Sequence, residues 1–319
     1  MPHKIGFFTI CVMCVVVLVG CDRRSARPKV VVRWESTISH PEMREPVGLA
    51  MVGGVLAVSD AKSSVVFRFD PQGKPLDRWP TGDTPTTLGR PMHLGADSAG
   101  RLYVPDYLND RVVVLRADGS VAFAFGESGT GAAQFDAPAG VAIDADGRIY
   151  VTDFNNHRVQ QFTAEGTFIR AWGTHGQDKP AAFNYPTDLA IGPDHRVYVA
   201  DAYNHRVQVF TPDGEYLASW GGSGRTPGRF NAAVGIDVDP KGRVYVADEF
   251  NHRVQVLSSE GKPLGQWGAK GTQAGEFDSP TDVAIGADGR VYVADYGNAR
   301  VQVFTVRFEN GKQNRKDAE

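Results

Sequence analysis

The sequence is poor in cysteine, in surplus charge and in long apolar runs, and each shortage excludes something. Its 319 residues hold three cysteines, Cys11, Cys14 and Cys21. All three fall at the N-terminus, so disulfide and cysteine–metal chemistry are excluded for everything after Cys21, even in a compartment that would permit disulfides. The 34 Lys and Arg against 37 Asp and Glu leave a formal net charge of −3. That balance offers no general attraction to nucleic acid, and no basic stripe interleaved with aromatics is present. No Ser-His-Asp or Cys-His arrangement can be read along the chain, so no catalytic residue is assigned. Gly126-x-x-Gly129-x-Gly131 lacks the helix that a phosphate-binding loop needs. Asp144-x-Asp146-Gly147 lacks the terminal Glu of a calcium loop, and a hairpin turn accounts for it.

What is present is a repeat. Val197-Tyr-Val-Ala-Asp201-Ala-Tyr-Asn-His-Arg206-Val-Gln-Val-Phe210 recurs at Ile149–Phe162, Val244–Leu257 and Val291–Phe304, and in weaker form at Leu102–Leu115 and Leu56–Phe69. The shared aspartates, Asp60, Asp106, Asp153, Asp201, Asp248 and Asp295, are 46, 47, 48, 47 and 47 residues apart. A fixed period of this size means a repeat architecture. Each copy reads as two short β-branched and aromatic strands around a polar turn. The Asp and the Arg five residues later bracket that turn as an ion pair. Upstream lies Pro186-Thr-Asp-Leu-Ala-Ile191, matched by Pro138–Ile143 and Pro280–Ile285, and the matching runs join the next strand through Asp146-Gly147 and Asp288-Gly289, a short-hairpin signal. Downstream runs such as Glu215–Trp220 add a fourth strand.

Four antiparallel strands per period describe a propeller blade, and such a sheet must cover both faces by stacking in a ring. The last blade ends at Phe304 with no outer strand of its own, while Val30–Trp34 is a strand with no hairpin before it. The N-terminal strand is therefore expected to be the outermost strand of the last blade. Phe135, Phe183, Phe230 and Phe277 recur in phase and read as packing plugs between blades. With Asn204-His205-Arg206 and its in-phase copies, the chain resembles the NHL-repeat family over about six blades. The resemblance implies an all-β, six-bladed β-propeller; with the strand pattern, the expected fold is one such propeller of four-stranded antiparallel blades, ring closed by the N-terminal strand, and the chain is expected to be a monomer. Some animal members bind RNA or carry a RING module; the charge pattern and the absence of a Cys-rich segment argue against both here.

Residues 1–20 read as a lipoprotein signal peptide. Lys4 precedes an apolar run from Ile5 to Val19, short for a membrane span and typical of a secretory core. It ends Leu18-Val19-Gly20-Cys21, which looks like a bacterial lipobox, so Cys21 is the expected lipidation site. Residues 21–29 then form a lipidated Cys and polar tether, residues 30–308 the propeller, and 309–319 a charged tail. This places the protein in a bacterial cell envelope, lipid-anchored on the extracytoplasmic side of a membrane. Asp22 resembles an inner-membrane retention signal.

The loops between second and third strands share one face of a propeller, the usual binding surface. They offer Tyr107, Phe154, Tyr203, Phe250 and Tyr296, with Asn155, Asn204 and Asn251 beside them. As a rim these would recognise a protein, peptide or glycan of the envelope; singly, each reads as a residue packing loop on loop. His157, His205 and His252 sit on separate blades and cannot converge on one metal. They are expected to pack or hydrogen bond beside their own turns. One channel position, two residues after the strand-opening Pro, carries Gly48, His93, Gly140, Asp188, Gly235 and Asp282 in turn. His93, Asp188 and Asp282 alternate around the ring and could hold a divalent cation. The competing reading has the two carboxylates cap backbone N–H groups. The expected function is a membrane-tethered binding scaffold with no cofactor. The alternative is a metal-dependent lyase or hydrolase working in the channel. The NHL-like amidating lyase uses channel histidines, and three such histidines are lacking at the matching positions here.

Overall fold

The computed structural model describes residues 29–80 and 87–309. Cys11, Cys14, Cys21, Asp22, the signal and tether readings, and residues 310–319 lie outside the described residues. Among the described residues, no helix is long and apolar enough to cross a membrane.

Six four-stranded antiparallel sheets are present, and the only helical elements among the described residues are three short 3-10 turns. Their inner strands are Pro46–Val52, Gly95–Ala96, Pro138–Ile143, Pro186–Ile191, Ala233–Val238 and Pro280–Ile285, here blades 1 to 6. Blade 4 shows the plan: Pro186–Ile191, Val197–Asp201, Arg206–Phe210 and Tyr216–Gly221 pair in that order. In blade 6 the outermost strand is Lys29–Ile38, which pairs antiparallel with Arg300–Glu309. Trp34 faces Phe304 in that ladder, and Lys29 faces Glu309. The ring thus closes through the two ends of the described chain, as the unpaired N-terminal strand predicts.

Each boundary between blades has its own apolar core. Tyr103, Phe135, Val141 and Phe162 join blades 2 and 3; Tyr150, Phe183, Leu189 and Phe210 join blades 3 and 4. Phe135, Phe183, Phe230 and Phe277 are fully buried plugs, each contributing about 1.5–3 kcal/mol by area removed from water.

The repeated Asp–Asn–Arg–Gln set turns the hairpin into a clamp. Asp201 is fully buried. Its carboxylate accepts from Asn204 Nδ2 at 2.8 Å, Arg206 Nε at 2.8 Å, Gln208 Nε2 at 3.0 Å and the backbone N–H of Asn184 at 2.8 Å. Arg206 and Gln208 also donate to the Ala182 carbonyl. The motif therefore pins the connector that enters its own blade. The predicted Asp–Arg pair is present at 2.7 Å in blade 3, 2.6 Å in blade 5 and 2.7 Å in blade 6. Burial dominates the electrostatics, holding the Asp153 and Asp201 carboxyls above their ordinary range despite their Arg partners.

Two local expectations need correcting. The Asp-Gly links are longer than two-residue hairpins. In blade 3 the connection runs from Asp144 to Arg148, because the Asp144 side chain accepts from the Asp146 and Arg148 N–H groups and widens the turn. The motif histidines do not serve their own turns. His157, His205 and His252 Nδ1 accept from the N–H of Tyr185, Ala232 and Ser279, each on the connector of the next blade. Their left-handed backbone, with φ of 53°, 54° and 53°, marks the turn position they occupy.

Candidate functional site

The inner strands enter from the loop face, and the channel position lies one residue pair below it: Pro186 pairs with Asp201 and Asp188 with Ala200. Gly and polar residues alternate there for a steric reason. A Cβ on Gly48 would stand 2.5 Å from His93 Cα, one on Gly140 2.7 Å from Asp188 Cα, and one on Gly235 2.5 Å from Asp282 Cα. Each polar residue is thus seated backbone-first against a glycine of the preceding blade. That leaves room for three side chains at this level, and those three are His93, Asp188 and Asp282.

All three are buried. One ligand-type atom from each lies within 4.8 Å of the others. His93 Nδ1 is 3.5 Å from Asp282 Oδ2 and 3.8 Å from Asp188 Oδ2, and it has no hydrogen-bond partner. The same carboxylates also cap. Asp188 Oδ2 accepts from the Ile236 N–H at 2.9 Å and Asp282 Oδ2 from the Leu49 N–H at 2.7 Å. Both readings of these carboxylates are geometrically compatible, since a carboxylate oxygen has two lone pairs. Burial alone would lower the His93 pKa, but Asp188, Asp282 and Glu249 outweigh it and raise it to about 9. Burial lifts the Asp188 carboxyl to about 8, against the pull of His93 and with the push of Asp282.

Below the three lies a cavity of about 240 Å³, lined by all six inner strands. Among its lining residues only Asp188, Asp282 and Asp237 have polar side chains, yet the surface it presents is mostly polar. Asp237 accepts from the Ile285 N–H at 2.8 Å, and burial raises its carboxyl to about 7. Glu249, on the loop of blade 5, is also raised to about 7 by burial, against the opposing pull of His93.

A profile of the NHL repeat matches residues 135–162, 183–210, 230–257 and 277–304. The chain is an NHL-repeat propeller. The four matched NHL repeats are the inner, second and third strands of blades 3 to 6 with the ends of their entering connectors. Blades 1 and 2 fall outside the profile, yet Asp60 and Asp106 keep the capping role. Asp60 accepts from the Arg44 and Glu45 N–H groups, and Asp106 from those of Gly89 and Arg90. No curated protein sequence matches the chain. Solved structures share the fold at low identity. A streptogramin B lyase is 15% identical over 87% of this chain and 98% of its own, with a TM-score of 0.61. A gluconolactonase from Xanthomonas campestris is 16% identical over 88% and 90%, with a TM-score of 0.65. A virginiamycin B lyase from Staphylococcus aureus is 14% identical over 90% of each chain, with a TM-score of 0.58.

On the loop face of the NHL propeller, part of the aromatic rim is continuous. Tyr107 and Phe154 have ring centroids 5.9 Å apart, Phe154 and Tyr185 4.8 Å, and Tyr185 and Tyr203 5.3 Å. Tyr203 is 53% exposed and Phe250 47%. Tyr296 is half-buried, its phenol raised by burial and then by the Glu45 carboxylate. The amides are mostly engaged. Asn204 and Asn251 donate to Asp201 and Asp248 and to the Gly176 and Gly224 carbonyls. Asn155 is one residue out of phase and donates to Asp136; Asn156 takes the in-phase role beside Asp153. The sequence reading missed Tyr185 and the exposed Leu108 on this face, and Asp237 and Glu249 in and above the channel.

Proposed function

We propose that this NHL propeller is an extracytoplasmic, membrane-tethered binding protein that takes a protein, peptide or glycan across its loop face. One observation carries the reading: the arc Tyr107–Phe154–Tyr185–Tyr203, half-buried along its length and exposed at Tyr203, with a separate exposed Phe250 on the loop of blade 5. Contiguous exposed apolar surface marks interaction sites, and aromatics dominate their energetics. The arc spans several blades, so it suits an extended ligand better than a point contact. The tether rests on the lipobox-like Leu18-Val19-Gly20-Cys21.

The test uses the full chain on arrays of envelope peptides and glycans. A variant carrying Phe154→Ala, Tyr203→Ala and Phe250→Ala is expected to bind at least about 100-fold more weakly, since each aromatic anchor is worth about 1–2 kcal/mol. Unchanged affinity would overturn the loop-face reading. In the same strains Cys21→Ser should abolish incorporation of labelled fatty acid; retained label would overturn the tether.

A second reading, a metal-dependent lyase or hydrolase working in the channel, draws on the convergence of His93, Asp188 and Asp282 above a cavity. The motif histidines do not contribute to it, because each is engaged at the edge of the next blade.

A further inference from the structure

We propose that His93, Asp188 and Asp282 bind one divalent transition-metal ion on the propeller axis, tying blades 2, 4 and 6 together. The inference is independent of the loop-face reading, and its failure would leave that reading standing.

The first argument is the unpartnered imidazole. His93 is 3% exposed, and its Nδ1 faces two carboxylate oxygens at 3.5 and 3.8 Å without a hydrogen bond to either. A buried polar atom left unpaired is costly, and such atoms call for a bound partner. The spacing is too wide for hydrogen bonds. It is close to what a shared ion requires: ligand bonds of about 2.1 Å put tetrahedral donors about 3.4 Å apart. An ion between the three would satisfy Nδ1 and both carboxylates once the donors, which lie within 4.8 Å of one another, draw together, by shifts of up to about 1 Å.

The second argument is that the carboxylates are already oriented. The capping bonds from Ile236 and Leu49 fix Asp188 Oδ2 and Asp282 Oδ2 toward His93 and leave each a lone pair. Hydrogen bonds of this outer kind hold metal ligands in place. With a neutral imidazole the cluster carries two negative charges, matching a dication. Asp237 on the cavity wall and Glu249 near His93 on the loop side are two further carboxyl groups beside the site. The cavity beneath supplies room for water to complete the coordination sphere.

The donor set selects the ion. One imidazole and two carboxylates suit Zn²⁺ or Mn²⁺, whereas Ca²⁺ prefers oxygen alone. The competing state is a metal-free ion pair with a protonated His93.

The test is metal stoichiometry on the full chain, purified in detergent without a histidine tag. After chelator treatment it is titrated with Zn²⁺ and with Mn²⁺, with bound metal read by mass spectrometry. The expected result is saturation at one equivalent for at least one of the two ions. His93→Gln and Asp282→Asn should each weaken uptake about tenfold or more. The Asn side chain keeps an acceptor for the Leu49 N–H, and near-ultraviolet circular dichroism checks that the variants fold. Absence of saturable uptake by the wild-type chain would overturn the site, whatever the variants do. Uptake that folded variants retain at wild-type affinity would place the ion elsewhere and overturn it equally.

Discussion

Gly235→Ala tests the packing on which the channel cluster depends. The added methyl would stand 2.4 Å from the Thr281 carbonyl oxygen, 2.5 Å from Asp282 Cα and 2.6 Å from Asp282 Oδ1. Ordinary contacts of this kind are near 3.5–4 Å, so blades 5 and 6 must part by about 1 Å. Two hydrogen bonds oppose that movement: Ile285 N–H to Asp237, across the same boundary, and Leu49 N–H to Asp282, on the far side of blade 6. Overpacking costs about 1–3 kcal/mol, and weakening those bonds adds about 1 kcal/mol. A loss of about 2–4 kcal/mol corresponds to a fall in Tm of roughly 3–7 °C for a domain of this size. Gly242→Ala is the control. It has a left-handed φ of 75° and nothing within 4 Å of the added atom, so only backbone strain of about 1–2 kcal/mol applies. Thermal unfolding followed by circular dichroism compares them. If Gly235→Ala costs no more than Gly242→Ala, blade contact at the channel level does not explain the alternation of glycine and polar residues.

Two further outcomes follow from buried charge. Arg253 is nearly buried and donates to Asp248 at 2.6 Å, so Arg253→Ala should cost about 3–5 kcal/mol in chemical denaturation. Arg111, more exposed and 3.2 Å from Asp106, should cost only about 1 kcal/mol on the same change; equal losses would contradict the burial argument. Asp237 has a folded pKa raised to about 7, so the folded protein holds that proton more tightly than the unfolded chain. The destabilisation is absent below the unfolded value near 4, grows as pH rises, and is complete above about 7. In chelator, Asp237→Asn should therefore stabilise the protein by about 2–4 kcal/mol more at pH 8 than at pH 4. A difference that does not change with pH would refute it.

The fold was legible because the repeat is in phase. Six aspartates at one period give six blades, and Val30–Trp34, a strand without a hairpin, supplies the outer strand that Phe304 lacks. Even blades 1 and 2, without the Asn-His pair, keep Asp60 and Asp106 as caps. What stayed hidden was the reach of individual side chains between blades. His205 accepts from Ala232, a residue of the next connector, and nothing in the local turn signals so distant a partner. The aromatic arc was half legible for the same reason. Tyr203 and Phe154 belong to the motif, but the ring that joins them, Tyr185, belongs to a connector.

The channel shows where phase reasoning stops short. Aligning inner strands by their Pro finds His93, Asp188 and Asp282, yet assigns blade 5 only Gly235. That glycine is obligatory, because any side chain there would meet the backbone of blade 6. Other blades with a glycine at this level use a hydroxyl on the second strand. Ser59 accepts from the Gly48 N–H and donates to the Met92 carbonyl; Thr152 does the same with Gly140 and Thr187. Blade 5 has Ala247 at that place and no hydroxyl to offer. Its link to blade 6 is made by Asp237, two residues along the inner strand and so on the same face. Asp237 caps Ile285 much as Asp188 caps Ile236, one pleat lower. Gly235, Asp237 and Ala247 are thus one coupled choice. The carboxylate sits a pleat lower where the glycine and the missing hydroxyl leave the channel level of blade 5 without a polar side chain, and it brings a third acid into the cavity beneath His93.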